Sequence, residues 1–410
     1  MKIYQPPPDK SITIRALLLA AVAEGSSRIE NPLVCGDTEA ALGCLSALGV
    51  RHCRDGGAVI VEGRGLKGLR PPSGPLDAGE SAALARLLAG LLAGQSFPSE
   101  ITGRGSLLKR PMAATAAALQ ELGARAETRD GRLPLRLRPA RLKGARVSGV
   151  GSAQVKSALL LAGLYAPGGV SVKEKFPTRD HTERLLLLFG ARISVNGGYT
   201  RVLPGPLTAR PLAVPGDISS AAPFLAAALL AGEPLRVKSC GLNPLRLGFV
   251  DALKRMGARI ELKPAGGFPE PVGEIAVRPS ALKAVRVTPS QIPAMIDEVP
   301  LLAVLAGRAR GVTKLGGLQG LRGKESDRIA STLALLAALG VKAAYKGGTL
   351  AVTGAKKFTA VSAADPHGDH RLAMAAAAAS AACPGLKIAD RDCVAKSYPG
   401  FWKDFRRLAG

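Results

Sequence analysis

A pattern that occurs five times along the chain limits its fold more than any other feature of the sequence. Each copy has an apolar helical stretch that ends in Gly, then Val or Ala, and then strand-like stretches. The copies are ALGCLSALGVRHCRDGGAVIVEG (41–63), ATAAALQELGARAETRDGRLPLRL (114–137), ERLLLLFGARISVNGGYTRVLP (183–204), FVDALKRMGARIEL (249–262) and TLALLAALGVKAAYKGGTLAVTG (332–354). Gly directly after a helix supplies a left-handed C-cap, and Asp-Gly, Gly-Gly and Asn-Gly-Gly sequences close hairpins.

The spacing of these glycines gives the size of the repeated module. The glycines that end the helical stretches are 74, 67, 67 and 83 residues apart, and they are Gly49, Gly123, Gly190, Gly257 and Gly340. Six modules averaging about 68 residues would fill the 410 residues, with 370–390 as a degenerate sixth. This period exceeds that of solenoid repeats. We therefore predict two similar α/β lobes of three modules each, with a boundary in the Pro-rich stretch 203–217.

Length and composition restrict the class of protein. A chain of 410 residues is longer than one hydrophobic core usually organises, which favours two domains. The sequence has no apolar run of transmembrane length and no signal-peptide pattern at its start. Its six cysteines form no CxxC pair, which weakens zinc and redox interpretations. We therefore expect a cytoplasmic protein with reduced thiols.

The net charge of +25 indicates an anionic ligand, a basic compositional bias, or both. Such a field attracts nucleic acid or small molecules with several negative charges. The basic residues are scattered, and aromatic residues, at 4% of the chain, offer few platforms for base stacking. Nucleic acid is therefore the weaker interpretation.

Four predicted helix starts combine a capping residue with a cationic or amide side chain. Helix N-termini carry partial positive charge and free N–H groups, so each start could bind a phosphate or a carboxylate. Ser11 is predicted to cap the first helix. The four starts are Lys10-Ser11 with Arg15, Ser152 with Gln154, Lys324-Glu325 with Arg328, and Asp369 with Arg371. We expect Lys324 and Arg328, four residues apart, to share one helix face.

Carboxylates at two places in the sequence stand out because acidic residues are scarce. Asp297-Glu298 lies in the apolar segment IPAMIDEVPLLAVLA, where it is either a helix cap before Pro300 or a general base for a hydroxyl. Glu325 is either an acid–base group or half of an ion pair with its basic neighbours. The residues alone leave both alternatives open.

Six motifs, in order along nearly the whole chain, resemble the 5-enolpyruvylshikimate-3-phosphate synthase family. They are DKSITIRALLLA (9–20), RDHTER (179–184), GDISSAAPFL (216–225), KESDR (324–328), DHRLAM (369–374) and AKSYP (395–399). The resemblance implies an α/β fold of two similar lobes, each of three βαβαββ units, in the inside-out α/β barrel of enolpyruvyl transferases. Residues 10–215 would form a lobe that mainly binds shikimate 3-phosphate. Residues 1–9 and 216–410 would form a lobe carrying much of the phosphoenolpyruvate site, with the active site in the cleft between them.

The resemblance also implies a reaction and its residues. The family transfers the enolpyruvyl group of phosphoenolpyruvate to the 5-hydroxyl of shikimate 3-phosphate by addition and elimination. Asp297 would be the base, and Glu325 with Lys10 or Lys396 would donate protons. Residues expected to bind shikimate 3-phosphate are Lys10, Ser11, Arg15, Ser152, Ala153, Gln154, Thr178, Asp297 and Lys324. Those expected to bind phosphoenolpyruvate are Lys10, Ala82, Gln154, Arg328, Arg371 and Lys396. The resemblance implies no metal, no organic cofactor, no nucleic-acid or membrane partner, and we expect a monomer.

Three positions depart from the family pattern. Ala153 stands where the family usually has a second Ser, and Ser106 stands where many members have Arg. In the segment 77–86, matching Glu80 to the family Asn places Arg86 at the family Arg and Ala82 at the family Gly. The extra methyl group of Ala82 is therefore expected to weaken binding of glyphosate, which competes for the phosphoenolpyruvate subsite in this family.

Three other functions fit parts of the sequence. The sister enzyme acting on UDP-N-acetylglucosamine shares the fold but typically has a Cys in the loop that here reads GRGSLLKRP (103–111). RNA 3′-phosphate cyclase uses a nucleotide-accepting His, whereas His370 is explained by the family motif. A basic nucleic-acid-binding protein would leave the order of the motifs unexplained.

Overall fold

The computed structural model describes residues 1–409, which form two compact units. The N-terminal unit is Pro8–Val214, and the C-terminal unit combines Met1–Pro7 with the chain from Pro215 onward. Within the described residues, no helix combines the length and the apolar character needed to cross a bilayer.

The helices of the described chain are short to medium in length. They are α1 (Lys10–Val22), α2 (Gly36–Ala47), α3 (Ala82–Leu92), α4 (Ala113–Glu121), α5 (Ala153–Gly163), α6 (His181–Leu188), α7 (Ile218–Ala231), α8 (Gly248–Arg255), α9 (Val299–Ala306), α10 (Arg328–Ala338), α11 (His370–Ser380) and α12 (Phe401–Ala409). Short 3₁₀ helices occur at Gly105–Lys109, Pro244–Arg246, Ile292–Met295, Gln319–Leu321 and Arg391–Lys396.

The strands alternate with these helices along the chain. They are β1 (Lys2–Tyr4), β2 (Glu24–Glu30), β3 (Arg51–Asp55), β4 (Ala58–Arg64), β5 (Leu76–Asp77), β6 (Ser99–Thr102), β7 (Arg125–Arg129), β8 (Arg132–Arg138), β9 (Ala145–Val150), β10 (Val170–Glu174), β11 (Ile193–Asn196), β12 (Tyr199–Val202), β13 (Leu212–Ala213), β14 (Leu235–Gly241), β15 (Arg259–Gly266), β16 (Val272–Arg278), β17 (Arg286–Val287), β18 (Val312–Gly316), β19 (Ala343–Lys346) and β20 (Thr349–Thr353).

Five four-stranded sheets share one topology, which confirms the repeated module. Their strand orders are β13-β2-β4-β3, β5-β6-β8-β7, β9-β10-β12-β11, β1-β14-β16-β15 and β17-β18-β20-β19. In each sheet the first pair is parallel and the other two pairs are antiparallel. The sixth module is degenerate: in the described chain its α11 is flanked only by a parallel bridge between Ala364 and Ile388.

The glycines predicted to end the helices have the required backbone. Gly49, Gly123, Gly190, Gly257 and Gly340 have φ angles between +67° and +94°, a region that strains residues with a Cβ atom. In each module the chain then turns into its antiparallel hairpin. The local sequence therefore sets both the helix ends and the hairpin positions.

The helices of the core lie inside each unit and the sheets lie outside. Every residue from Ile12 to Val22 of α1 is buried, as is the whole of α9. A helix that is apolar on all sides must lie within a core. The strands instead alternate, as in β8, where Leu133, Leu135 and Leu137 are buried between partly or fully exposed residues. This arrangement explains the Ala- and Leu-rich composition.

Small residues allow these central helices to approach closely. A Cβ atom on Gly90 of α3 would lie 2.4 Å from the carbonyl oxygen of Ala158 in α5. Arg86 of α3 also contacts Gln154 of α5, so the two contacts have the same sequence offset and the two helices run parallel. Their N-termini consequently lie at the same end of the packed pair.

Replacing Gly90 with Ala should destabilise the protein by about 1–3 kcal/mol, because the new methyl group would collide with backbone. Gly43→Ala in α2 is the matched control, since nothing lies within 4 Å of its added Cβ atom. A Gly→Ala change at such a helical position should stabilise by about 0.4–1 kcal/mol. Urea unfolding measures both changes, and a stabilising effect of Gly90→Ala would contradict the close packing.

Candidate active site

The first helix of the N-terminal unit presents Lys10. The carboxylate of Asp9 caps α1 by accepting from the N–H of Ile12 at 2.9 Å, so the prediction that Ser11 is the cap is wrong. Asp is as good a cap as Ser, and its use moves the start of the helix to Lys10. The Nζ atom of Lys10 lies 2.8 Å from Oδ2 of the buried Asp37.

Arg15 lies one turn further along α1 and is buried. Its Nη1 atom donates to the carbonyl of Ser11 at 2.9 Å. Its Nε atom donates to Oγ1 of Thr182 at 2.8 Å, and its Nη2 atom donates to Oγ of Ser157 at 3.1 Å. Arg15 thus links α1 to the helices α5 and α6.

The start of α5 presents Ser152, Ala153 and Gln154. Ser152 occupies the N-cap position, as predicted, but its hydroxyl does not cap the helix. The Oε1 atom of Gln154 accepts from Nη1 of Arg86, and Nη2 of Arg86 donates to the carbonyl of Pro111 at 2.7 Å. Arg86 therefore joins the N-terminal halves of α3 and α5.

Two of the positions that depart from the family pattern contact each other. The Oε2 atom of Glu80 accepts from Oγ of Ser106 at 2.9 Å and from its N–H at 3.4 Å. Glu80 precedes Ser81, the N-cap of α3, and Ala82 is the first, buried residue of that helix. The carboxylate of Glu80 thus holds the loop that contains Ser106.

Thr178 lies in the segment before α6 and is buried. Its N–H donates to Oε1 of Glu174 at 3.1 Å, and its hydroxyl donates to the same oxygen atom. Its carbonyl accepts from Nζ of Lys156 at 3.5 Å. Both polar ends of this residue are therefore held by charged side chains.

Arg328 is the centre of the cluster in the C-terminal unit. This side chain is 1% exposed, and its Nη1 atom donates to Oδ1 of Asp297 at 3.0 Å. Its Nη2 and Nε atoms donate to Oε2 of Glu325 at 2.7 Å and to Oδ2 of Asp369 at 2.8 Å. Burial opposes the charge of Arg328, but the attraction of Asp369, Glu325 and Asp297 outweighs it and raises the guanidinium pKa. The structure thus brings both predicted catalytic carboxylates together.

Lys324 also approaches Asp297 but does not belong to the helix that follows. Its Nζ atom lies 4.0 Å from Oδ1 of Asp297. Asp327 caps α10, which begins only at Arg328. The expectation that Lys324 and Arg328 share a helix face is wrong, because the cap interrupts the periodicity between them.

Arg371 and Lys396 are held by backbone carbonyl groups. Asp369 caps α11 by accepting from the N–H of Arg371 at 2.9 Å, as predicted. The Nη1 atom of Arg371 donates to the carbonyl of Ser219 at 3.1 Å, and Nζ of Lys396 donates to that of Gly368 at 3.0 Å. Within the described chain, the buried Nε atom of Arg371 has no hydrogen-bond partner.

Sequence reasoning missed the groups that hold these cations. Asp37 was assigned no role, and Asp369 was assigned only a cap. The scarcity of acidic residues was the available signal, because a buried Lys or Arg needs a carboxylate partner. The sequence could not pair them, since Arg328 and Asp369 are 41 residues apart.

The arrangement suits ligands with several negative charges. Helix starts supply N–H groups and partial positive charge, and the adjoining side chains supply cations. In the C-terminal unit, carboxylates stand directly beside the cations and can exchange protons with a bound hydroxyl.

Asp369→Asn should destabilise the protein by about 2 kcal/mol, because it weakens a charge-assisted hydrogen bond of a buried Arg. Asn caps helices as well as Asp, so the start of α11 should persist. Asp327→Asn is the matched control: Asp327 caps α10 through the N–H groups of Ile329 and Ala330 and should change stability by less than about 0.5 kcal/mol. Equal effects in thermal unfolding would contradict this account of the Arg328 cluster.

Comparisons with known proteins identify the relatives of the whole chain. The family model for EPSP synthase (3-phosphoshikimate 1-carboxyvinyltransferase) matches residues 2–405. The 3-phosphoshikimate 1-carboxyvinyltransferases of Endomicrobium trichonymphae and of Thermus thermophilus are 41% and 45% identical, each match covering 98% of this chain and 95% of the relative. The EPSP synthase structure from Acinetobacter baumannii is 35% identical with a TM-score of 0.84, covering 100% of this chain and 95% of that one.

Proposed function

The chain belongs to the EPSP synthase (3-phosphoshikimate 1-carboxyvinyltransferase) family, and on that premise we propose how its residues divide the work of the reaction. The enzyme transfers the enolpyruvyl group of phosphoenolpyruvate to the 5-hydroxyl of shikimate 3-phosphate and releases phosphate. This step belongs to the biosynthesis of chorismate and aromatic amino acids. The alternatives, a UDP-N-acetylglucosamine enolpyruvyl transferase and a nucleic-acid-binding protein, are not favoured.

The observation that supports the proposed division most directly is the Arg328 cluster. A guanidinium group has five N–H donors, and within the described chain four of them are used in the contacts with Asp297, Glu325 and Asp369. The second N–H on Nη1 can then donate to an anionic ligand. In the proposal Arg328 holds the catalytic carboxylates and also binds phosphoenolpyruvate. Its position therefore sets where the carboxylates lie relative to the bound phosphoenolpyruvate.

The proposed chemistry moves two protons. Asp297 accepts the proton of the 5-hydroxyl of shikimate 3-phosphate while the oxygen atom of that hydroxyl attacks C2 of phosphoenolpyruvate. Glu325, with Lys10 or Lys396, donates a proton to the methylene carbon of phosphoenolpyruvate. A tetrahedral intermediate forms. Loss of a proton from its methyl group and departure of phosphate then restore the double bond. Carboxyl groups can act as general acids or bases when they lie within hydrogen-bond distance of the reacting group.

The two units contribute different substrate contacts in the proposal. The N-terminal unit mainly binds shikimate 3-phosphate, and the C-terminal unit supplies much of the phosphoenolpyruvate site. The buried donor of Arg371 that has no partner in the described chain supports its assignment to phosphoenolpyruvate, because an anionic ligand would satisfy it. The residues proposed for shikimate 3-phosphate are Lys10, Ser11, Arg15, Ser152, Ala153, Gln154, Thr178, Asp297 and Lys324; those for phosphoenolpyruvate are Lys10, Ala82, Gln154, Arg328, Arg371 and Lys396.

The proposal includes a monomeric enzyme of the cytoplasm that needs no metal or organic cofactor. Six free cysteines among the described residues support a reducing compartment. Phosphate release tests the function: it should require phosphoenolpyruvate and shikimate 3-phosphate together. Release with UDP-N-acetylglucosamine in place of shikimate 3-phosphate would contradict the proposal.

Asp297→Asn should lower turnover by about 10²–10⁴-fold, because Asn has nearly the same shape but does not accept the hydroxyl proton. Binding of shikimate 3-phosphate, measured by calorimetry, should change by less than about tenfold. Near-normal turnover in the folded variant would eliminate Asp297 as the base.

Ala82→Gly should strengthen glyphosate inhibition by roughly 5- to 150-fold, since removing an overpacked methyl group is worth about 1–3 kcal/mol. The KM for phosphoenolpyruvate, a more compact molecule, should change little. Ala83→Gly is the matched control, because it makes the same change one residue further along α3. Equal inhibition constants for the native enzyme and Ala82→Gly would refute the steric explanation.

A further inference from the structure

A buried ionic cluster lies behind Thr178 in the N-terminal unit, and no step of the proposed reaction uses it. The side chain of Lys156 in α5 is 1% exposed. Its Nζ atom lies 3.1 Å from Oε2 of Glu174 and 2.6 Å from Oε1 of Glu183. The other oxygen atom of Glu174 accepts from the N–H and the hydroxyl of Thr178. A chain of charged contacts therefore runs from α5 to the segment before α6.

The residues adjacent to Lys156 and Glu183 form a second link between α5 and α6. The Oγ atom of Ser157, next to Lys156, lies 2.7 Å from Oγ1 of Thr182, next to Glu183. Ser157 also donates to the carbonyl of Ala153 at 2.7 Å. Two adjacent side-chain pairs thus join α5 to α6, one ionic and one between hydroxyl groups.

Arg15 extends this network to the first helix. It donates to both Thr182 and Ser157, and to the carbonyl of Ser11. The network therefore contacts three separate segments that carry residues assigned to shikimate 3-phosphate, at Ser11, Ala153 and Thr178. These segments are far apart in sequence, so side chains between the helices must set their spacing.

The energetics of the cluster favour a role in geometry over one in stability. Replacing a buried ion pair by apolar residues of similar volume is often neutral or stabilising, whereas removing one partner is strongly destabilising. The cluster has one cation for two carboxylates, and burial raises the pKa of the Glu183 carboxyl while Lys156 acts in the opposite direction. Within the described chain, Oε2 of Glu183 is buried without a hydrogen-bond partner. An apolar contact would join these helices at a lower desolvation cost. It would not hold the polar backbone groups of Thr178, which Lys156 and Glu174 bind.

We propose that Lys156 is a positioning residue for the shikimate 3-phosphate subsite, acting through Glu174 on Thr178, and that Ser157 has the same role toward Ala153 and Ser11. The inference rests on the proposed function, which assigns these three residues to shikimate 3-phosphate. The Thr178 hydroxyl donates its hydrogen bond to Glu174, which leaves its oxygen atom to accept a hydrogen bond from a substrate hydroxyl. Lys156 stabilises this arrangement because it contacts both the carboxylate of Glu174 and the carbonyl of Thr178.

Lys156→Met and Ser157→Ala test the two links separately. Each should raise the KM for shikimate 3-phosphate, and its dissociation constant in calorimetry, by about tenfold or more. The KM for phosphoenolpyruvate and kcat should each change by less than about threefold, since the reacting groups belong to other residues. Ser157→Ala removes no charged group, so it remains informative if Lys156→Met fails to fold.

Leu135→Ala is the matched control for loss of stability. Leu135 is a fully buried residue of β8 in the same unit, and its truncation should destabilise by an amount typical of core cavities. It should leave the KM for shikimate 3-phosphate unchanged, because Leu135 lies outside the network. A rise of that KM in Leu135→Ala would show that instability alone produces the effect and would overturn the inference.

The outcomes separate this inference from the proposed function. If the unaltered enzyme released no phosphate with shikimate 3-phosphate, the proposed function itself would fail. If the unaltered enzyme were active but folded Lys156→Met and Ser157→Ala kept a normal KM for shikimate 3-phosphate, only the positioning role would fail. An equal rise of both KM values would also refute it, because it would indicate a general distortion of the site.

Discussion

The burial of whole helices inside each unit is the constraint on which the rest of the structure depends. An Ala- and Leu-rich helix such as α1, buried along nearly its full length, exposes polar groups only at its ends. Parallel packing, seen where Gly90 of α3 meets Ala158 of α5, brings helix starts to the same end of the N-terminal unit. The N–H groups and partial charges of those starts add together, so the packing that forms the core also creates a region suited to anions.

Two of the cations at these helix starts are held by carboxylates. Lys10 pairs with Asp37, and Arg328 pairs with three acidic side chains. These pairs restrict the side chains, so substrate binding has less side-chain freedom left to remove. They also put a carboxylate beside a cation at the place where the proposed reaction needs a base.

Some of the scarce aromatic residues form a cluster at one place in the C-terminal unit. Tyr4 of β1 stacks on Phe224 of α7 with ring centroids 4.1 Å apart, and Phe401 and Phe405 of α12 pack on the same ring. The hydroxyl groups of Tyr4 and Tyr398 lie 2.8 Å apart. This cluster joins the two ends of the chain into one unit, and Tyr398 lies two residues along the chain from Lys396, which belongs to the proposed site.

The sequence by itself determined the local backbone of this protein. The glycines after the helices, the hairpin turns, the cap at Asp369 and the repeated module follow from nearest-neighbour chemistry, and the structure confirms them. The assignment to the family also follows from motifs in the sequence. The roles of the individual site residues remain predictions. Sequence reasoning placed the start of α1 at the wrong cap, because Asp9 and Ser11 are equivalent candidates when only propensity is considered.

Only the tertiary structure decided which charges meet. Arg328 donates to Asp369, 41 residues away, and Ser106 donates to Glu80, 26 residues away. The sequence indicated each of these residues but not the pairs. The ionic link from Lys156 to Thr178 was not predicted at all. The physical reason is that periodicity and capping act over a few residues, whereas a buried charge is stabilised by whichever carboxylate the packing of distant helices brings within hydrogen-bond distance.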